Sequence, residues 1–208
     1  MLLLTAAFLA VTDGAGSAGV APKNTAPVTE VNAGTLSGLF SFGADIEERK
    51  WTSIVLHHTA TKGGTARQFD EYHRKAFGDP GGIEYHFVIN NGVGKGSRDG
   101  LVEVTSRWTA QKLGAHLFRP ELAEESIAVC FVGNFEESDS LTKVQYREGV
   151  ALVKKLKERY GIAETGILMH KQIDSYERFK KDGRPSTACP GKFFPYKKML
   201  GELNGARP

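Results

Sequence analysis

Short apolar runs typical of β-strands alternate along this chain with stretches of helical periodicity. Strands are predicted at Ile54–His58, Glu84–Asn90, Leu101–Val104, Ser126–Gly133 and Ile167–Met169. The first and fourth have apolar residues at successive positions, which is typical of strands buried on both faces of a sheet. A sheet with two buried faces needs helices on each side, so the pattern predicts an α/β fold.

Two helices are marked by capping signals at their first residues. Thr65 and Gln68 have the spacing of a capping box at the start of an amphipathic segment. Thr142 and Gln145 repeat this spacing before a longer helix, which Gly161 is predicted to end. The chain has 208 residues and no visible internal repeat. We therefore expect a single domain with a mixed central β-sheet flanked by helices.

The amino end has several features of an export signal. Met1–Val11 is apolar but much shorter than the roughly 20 residues that a membrane-spanning helix needs, so no stable membrane span is expected. Gly16 and Ala18 have the spacing of a cleavage site, although no Lys or Arg precedes the apolar run. Residues 1–18 are predicted to be a signal peptide, which implies export to the periplasm, cell envelope or extracellular space. A buried amino-terminal segment is the alternative.

Residues 19–50 are predicted to be a linker or N-terminal extension, because small residues and Pro are frequent there and charges are few in its first part. One stretch of this segment favours a different interpretation. Leu36, Leu39, Phe40 and Phe42 are large apolar side chains, and four such side chains exposed to water would be a liability. The alternative is that this stretch packs on the domain.

The charge balance does not favour a nucleic-acid partner. The chain has 27 Lys and Arg against 24 Asp and Glu, a formal net charge of +3, and no block of basic residues. A mild basic balance would help the protein to meet an anionic polymer without specifying which one.

Three potential metal ligands lie at strand ends or in a loop. His57 and His170 end predicted strands, and Cys189 precedes a Pro-Gly turn. A catalytic zinc takes three protein ligands of this kind and keeps a fourth position for water. The residues alone leave open that the histidines are ordinary core residues and the thiol is inert. They also leave open a cysteine hydrolase with a Cys189/His170 dyad, which would need a depressed thiol pKa.

The second cysteine, Cys130, lies within a predicted strand and is interpreted as a small buried hydrophobic residue. A Cys130–Cys189 disulfide is the competing interpretation for an exported protein, and it would abolish the metal site.

Six motifs occur in an order that resembles one enzyme family. They are IVLHHTA, EYHFVIN, LGAH, SIAVCFVGNF, ILMHKQID and STACPG. In this order the chain resembles the zinc-dependent N-acetylmuramoyl-L-alanine amidases, a family that includes phage amidase lysozymes and peptidoglycan recognition proteins. The likeness covers about Trp51–Lys198. It implies a zinc amidase domain over residues 51–200, followed by a tail at 201–208.

The resemblance also implies roles for individual residues. It matches His57, His170 and Cys189 to the zinc ligands, which makes Zn²⁺ the expected cofactor. Tyr85 matches the catalytic tyrosine, and Thr187 falls where family members carry Lys or Thr beside the attacked carbonyl. His116 resembles a histidine of the groove that contacts the sugar or the stem peptide, although an ordinary loop histidine fits the residues equally well.

Strand geometry agrees with part of this assignment. His57 and His58 are adjacent in a strand and must point to opposite faces, so only one of them can bind a given metal. The same alternation would turn Glu84 away from the face of Tyr85, which leaves the general base unassigned.

The function implied by the resemblance is hydrolysis of the amide bond between N-acetylmuramic acid and L-alanine, with the glycan strand and its stem peptide as partners. The alternative is a module of the same fold that binds peptidoglycan without cleaving it. Such relatives typically lose the cysteine ligand, so the presence of Cys189 favours the enzyme.

Overall fold

The computed structural model of the chain describes residues 29–31, 36, 38–78, 81–138, 140–183 and 186–205. The predicted signal peptide, residues 1–18, lies outside the described residues. Among the helices that the structure describes, none is both long enough and apolar enough to cross a bilayer.

A six-stranded mixed sheet forms the centre of the domain, with the order β1-β4-β3-β5-β2-β6. The strands are β1 Thr29–Val31, β2 Ser53–His58, β3 Phe87–Ile89, β4 Val102–Val104, β5 Ser126–Phe131 and β6 Ile167–Met169. Strands β3, β5, β2 and β6 pair in parallel, whereas β4 is antiparallel to both β1 and β3. The predicted α/β fold with a mixed central sheet is confirmed.

Helices cover the sheet and connect its strands. They are α1 Ala66–Phe77, α2 Ser106–Thr109, α3 Pro120–Ala123, α4 Lys143–Tyr160, α5 His170–Ile173, α6 Tyr176–Asp182 and α7 Tyr196–Leu203, with a 3₁₀ turn at Glu164–Gly166. Both predicted caps are confirmed: Thr65 accepts a hydrogen bond from the Gln68 backbone, and Thr142 accepts one from Gln145. Gly161 ends α4 with a left-handed φ of 64°, a conformation that costs glycine little.

The two faces of the sheet have different roles. On one face, β-strand residues such as Leu56, Phe87 and Phe131 pack with Leu152 of α4 and Met199 of α7 in the main hydrophobic core. The opposite face carries two smaller apolar clusters, one containing Val88 and Phe69 and the other containing Val55 and Ile173. Because His57 follows Leu56 in β2, its side chain lies on this second face.

The N-terminal extension contributes to the main core. Leu36 and Leu39 are 1% and 4% exposed, and the Leu39 carbonyl accepts a 2.7 Å hydrogen bond from the Trp108 indole. Phe40 and Phe42 contact the Trp108 ring edge to face. This part of the segment 19–50 therefore packs on the domain, as the alternative interpretation proposed, because its large apolar side chains are buried there.

Leu36→Ala is expected to lower the free energy of unfolding by about 2–4 kcal/mol, because it removes a fully buried side chain from the main core. Urea or thermal unfolding measures this change. Leu113→Ala is the control: Leu113 is 38% exposed, and its replacement should change stability by no more than about 0.5 kcal/mol. Equal losses in the two variants would contradict the packing of this segment in the core.

Strand β3 is shorter than the predicted strand Glu84–Asn90, and this changes the face on which Tyr85 lies. Alternation over Glu84–Asn90 would place Tyr85 on the face of Phe87 and Ile89. Instead β3 begins at Phe87, and Tyr85 packs on the opposite face with Val88. The predicted alternation of Tyr85 with Phe87 and Ile89 was therefore wrong, because the strand begins only at Phe87.

Candidate metal centre

Parallel pairing of β2 and β6 brings two histidines together. Leu56 is the Cα partner of Met169, so the residues that follow them, His57 and His170, lie side by side at the carboxyl ends of the strands. Their ring centroids are 4.6 Å apart. The apolar runs of the two strands thus set the positions of both imidazoles.

Cys189 approaches this pair from the loop before α7. Its Sγ lies 3.7 Å from His57 Nδ1 and accepts a 3.3 Å hydrogen bond from the His58 backbone N–H. One ligand atom from each of His57, His170 and Cys189 lies within 4.8 Å of the others. Nitrogen and sulfur ligands of one tetrahedral zinc are about 3.6 Å apart, given bond lengths of about 2.1 and 2.3 Å. The 3.7 Å between Cys189 Sγ and His57 Nδ1 matches this separation, and the three side chains have the chemistry of a zinc site.

His57 is oriented by a chain of hydrogen bonds behind it. His57 Nε2 lies 2.9 Å from His116 Nδ1, and His116 Nε2 lies 3.2 Å from the Ser126 hydroxyl. Metal binding at His57 Nδ1 requires the proton on Nε2, so His57 must donate to His116 and His116 to Ser126. Burial lowers the pKa of His57 and of His116 well below the ordinary value, and neighbouring histidines lower both further. Both rings are thus neutral, as a metal ligand and its acceptor need to be.

This position bears on the expected role of His116 in substrate binding. The side chain is 4% exposed, and both ring nitrogens have partners within the protein. Contact of His116 with substrate stays a prediction, whereas the geometry favours action through His57.

His170 and Thr187 are both held by Asp174, at the end of α5. His170 Nε2 lies 3.0 Å from Asp174 Oδ2, which leaves Nδ1 available to a metal. The Thr187 backbone N–H donates to the Asp174 carbonyl at 2.9 Å. Thr187 Oγ1 accepts a 3.1 Å hydrogen bond from the Cys189 N–H, so its own hydroxyl proton remains available to another acceptor.

Tyr85 also packs against His57. The ring centroids of Tyr85 and His57 are 5.3 Å apart. Burial raises the pKa of Tyr85 well above its ordinary value, and the nearby Cys130 and Cys189 raise it further. The phenol is therefore protonated at neutral pH and can donate a hydrogen bond.

Other candidates lie outside the ligand set. His58 points away from the site, where its Nδ1 accepts a hydrogen bond from the Phe135 N–H at 3.1 Å. Cys130 and Cys189 are both free and buried, so the structure does not contain the alternative disulfide. Sequence reasoning missed Asp174, although its position four residues after His170 was visible as a helical i, i+4 pair.

The protonation of Cys189 bears on the cysteine-hydrolase alternative. Burial raises the pKa of the Cys189 thiol to about 12. A nucleophilic cysteine needs a depressed pKa, because the thiolate is the reactive form. The raised value does not favour a Cys189/His170 dyad, and it means that a metal must displace the thiol proton.

In metal-free Cys130→Ala protein, alkylation of Cys189 by iodoacetamide is expected to be slow at pH 7. Its rate should rise about tenfold per pH unit through pH 9, since the thiolate fraction grows in this way below the pKa. Mass spectrometry of the alkylated protein measures the rate. Fast alkylation that does not change between pH 6 and 8 would contradict the raised pKa and restore the dyad hypothesis.

Comparison with known proteins adds independent information. The family model described as N-acetylmuramoyl-L-alanine amidase matches residues 47–192. Among curated proteins, none matches the sequence significantly.

Several solved structures are similar to the chain. The N-acetylmuramoyl-L-alanine amidase LysC from Clostridium intestinale URNW is 28% identical, with a TM-score of 0.58 over 74% of this chain and 86% of that chain. The endolysin amidase LysCS from the same organism has the same identity and TM-score, over 74% and 84% of the two chains. The Ph2119 endolysin of Thermus scotoductus MAT2119 bacteriophage Ph2119 is 22% identical, with a TM-score of 0.51 over 77% and 88%, and supports the fold alone.

The family match covers most of the sequence, including the histidines, the tyrosine and the cysteine of the candidate centre. The chain belongs to the N-acetylmuramoyl-L-alanine amidase family.

Proposed function

We propose that this protein is a zinc-dependent hydrolase that cleaves the amide bond between N-acetylmuramic acid and L-alanine in peptidoglycan. The observation that carries the proposal is the convergence of His57, His170 and Cys189, whose ligand atoms lie within 4.8 Å of one another. Membership of the amidase family supports the choice of bond. The glycan strand and its stem peptide are the partners that this reaction requires.

Zinc would be held by Nδ1 of His57, Nδ1 of His170 and Sγ of Cys189. Bound there, it supplies Lewis acidity toward the amide carbonyl and lowers the pKa of a water molecule toward about 7. The neutral states of His57 and His116 suit this role, because a protonated imidazole cannot bind a metal.

Two side chains flank the ligands and can act on the substrate. The protonated phenol of Tyr85 donates to the oxygen on which negative charge develops. The Thr187 hydroxyl, fixed beside Cys189 by the Cys189 N–H, donates its free proton toward the same region. Together they stabilise charge in the transition state without a change in their own protonation.

Peptidoglycan lies outside the cytoplasmic membrane, so this function agrees with export of the protein to the cell envelope or beyond. The apolar amino end is the feature that supports export. Comparison of the mature amino terminus with the encoded one tests this part of the proposal.

Digestion of purified peptidoglycan tests the bond that is cleaved. We expect each turnover to release one free L-alanine amino group, with the N-acetylmuramic acid left intact, and to stop when a chelator removes zinc. Binding of the wall without any new amino group would contradict the enzyme and support the recognition module. Release of reducing sugar instead would identify a glycosidase.

A further inference from the structure

One buried carboxylate contacts three separate parts of the candidate centre. Asp174 is 2% exposed. Its Oδ2 lies 3.0 Å from His170 Nε2 and accepts a 3.0 Å hydrogen bond from the Phe118 N–H. Its carbonyl oxygen accepts the Thr187 N–H at 2.9 Å. A metal ligand, a residue at the rim and a candidate catalytic residue are therefore tied to one side chain and its backbone.

We propose that Asp174 is the positioning residue of this centre, which directs Nδ1 of His170 toward the metal and supplies part of the negative charge that balances it. The inference rests on the proposed function only in that it requires a zinc ion at this place. Asp174 acts through His170 and does not itself touch substrate.

The contact with Asp174 selects the tautomer of His170. A neutral imidazole that donates Nε2–H to a carboxylate has its lone pair on Nδ1, the ring nitrogen that the contact with Asp174 leaves for a metal. The carboxylate also prevents the ring from rotating and makes Nδ1 a stronger ligand. Helix α5 is only four residues long, from His170 to Ile173. The Asp174 N–H that follows it donates to the His170 carbonyl at 3.0 Å, which places the two residues one helical turn apart.

Asp174 also brings a carboxylate into a buried site. Asp174 Oδ1 is buried and has no hydrogen-bond partner among the described residues, which is costly for a carboxylate unless a cation lies nearby. The ring of His57 differs, since its Nε2 lies 2.9 Å from His116 Nδ1 and not from a carboxylate.

Phe118 lies beside His170 and is hydrogen-bonded to Asp174 through its backbone. Its ring is 49% exposed, and its centroid lies 6.1 Å from that of His170. The backbone of Phe118 is fixed by Asp174, while the adjacent Leu117 is 9% exposed in an apolar cluster with Ile173. An aromatic side chain is thus presented at the rim beside a metal ligand, and its position depends on Asp174.

The test compares Asp174→Ala, Asp174→Asn and the control Glu148→Gln. Asn keeps an oxygen that can accept both hydrogen bonds but removes the charge, so it separates geometry from electrostatics. Glu148 is another buried carboxylate, 8% exposed, in α4 on the opposite face of the sheet. Zinc affinity is measured by competition with a chelator, and the ligand geometry by the absorption spectrum of the Co²⁺-substituted protein.

We expect Asp174→Ala to weaken zinc binding by about 10- to 100-fold and to change the Co²⁺ spectrum. Asp174→Asn should lose less affinity and keep the spectrum, and Glu148→Gln should change neither. Wild-type affinity and spectrum in Asp174→Ala, with only a lower melting temperature, would overturn the proposal and leave a purely structural role.

If Asp174→Ala does not fold, Asp174→Asn and Asp174→Glu decide: wild-type zinc affinity in both overturns the proposal, and weaker zinc binding supports it. These measurements use no substrate. A protein that binds zinc without cleaving peptidoglycan would therefore refute the proposed function while leaving the role of Asp174 intact.

Discussion

Cys189→Ala is expected to remove stoichiometric zinc from the purified protein and to lower amidase turnover by roughly 10³-fold or more. A three-ligand site has no spare donor, so the loss of one ligand should abolish metal binding at ordinary zinc concentrations. Lewis-acid stabilisation by a metal is worth several kcal/mol, which sets the size of the effect on turnover. Metal analysis and a peptidoglycan digestion assay measure the two outcomes.

The chain offers a matched control for this substitution. Cys130 is the Cα partner of His57 across β2 and β5, is 0% exposed, and lies outside the ligand set. Cys130→Ala should keep one zinc per chain. His57→Ala and His58→Ala form a second pair, in which only the first should lose zinc. Stoichiometric zinc with full activity in Cys189→Ala or His57→Ala would remove that residue from the site.

Tyr85→Phe is expected to keep zinc and the fold while lowering kcat by about 10²–10³-fold, the usual effect of losing one hydrogen-bond donor to the transition state. The ring packing against His57 is retained in Phe, and only the hydroxyl is lost. Because burial raises the pKa of Tyr85, the effect should be the same at pH 6 and pH 8.

Tyr160→Phe is the control for the tyrosine. Its hydroxyl donates to Glu48 at 2.7 Å from α4, on the other side of the sheet, and its loss should leave kcat unchanged. Loss of zinc in Tyr85→Phe would mean that the tyrosine supports the metal site itself, and an unchanged kcat would exclude it from the reaction.

The fold was largely predictable because its signals are local. The capping box at Thr65, the cap at Thr142 and the glycine after α4 act within a few residues, and all three are confirmed. The start of β3 was not predictable in this way. The Ile83 N–H donates to Asp70 of α1 at 2.8 Å, and the Glu84 N–H donates to His73. These contacts tie the residues before β3 to α1, a pairing between distant parts of the chain that no local pattern indicates.

Some residues of the candidate site could also be predicted from local sequence signals, whereas others could not. His57 and His170 were identifiable as strand ends, because parallel strands bring their carboxyl ends to one edge of a sheet. The partners behind them were not. His116 reaches His57 across 59 positions in sequence, and only packing of the loop between β4 and β5 determines that contact. Assignments of metal, catalytic and substrate-binding roles stay predictions until variants are measured.

Zinc dependence of the cleavage can be measured by titrating the metal-free protein with zinc while following the release of free L-alanine amino groups from peptidoglycan. We expect no turnover without metal, a linear rise as zinc is added, and a plateau at one zinc per chain, with no rise in Cys189→Ala. Full turnover by the metal-free protein, or saturation with zinc without release of any amino group, would contradict this expectation.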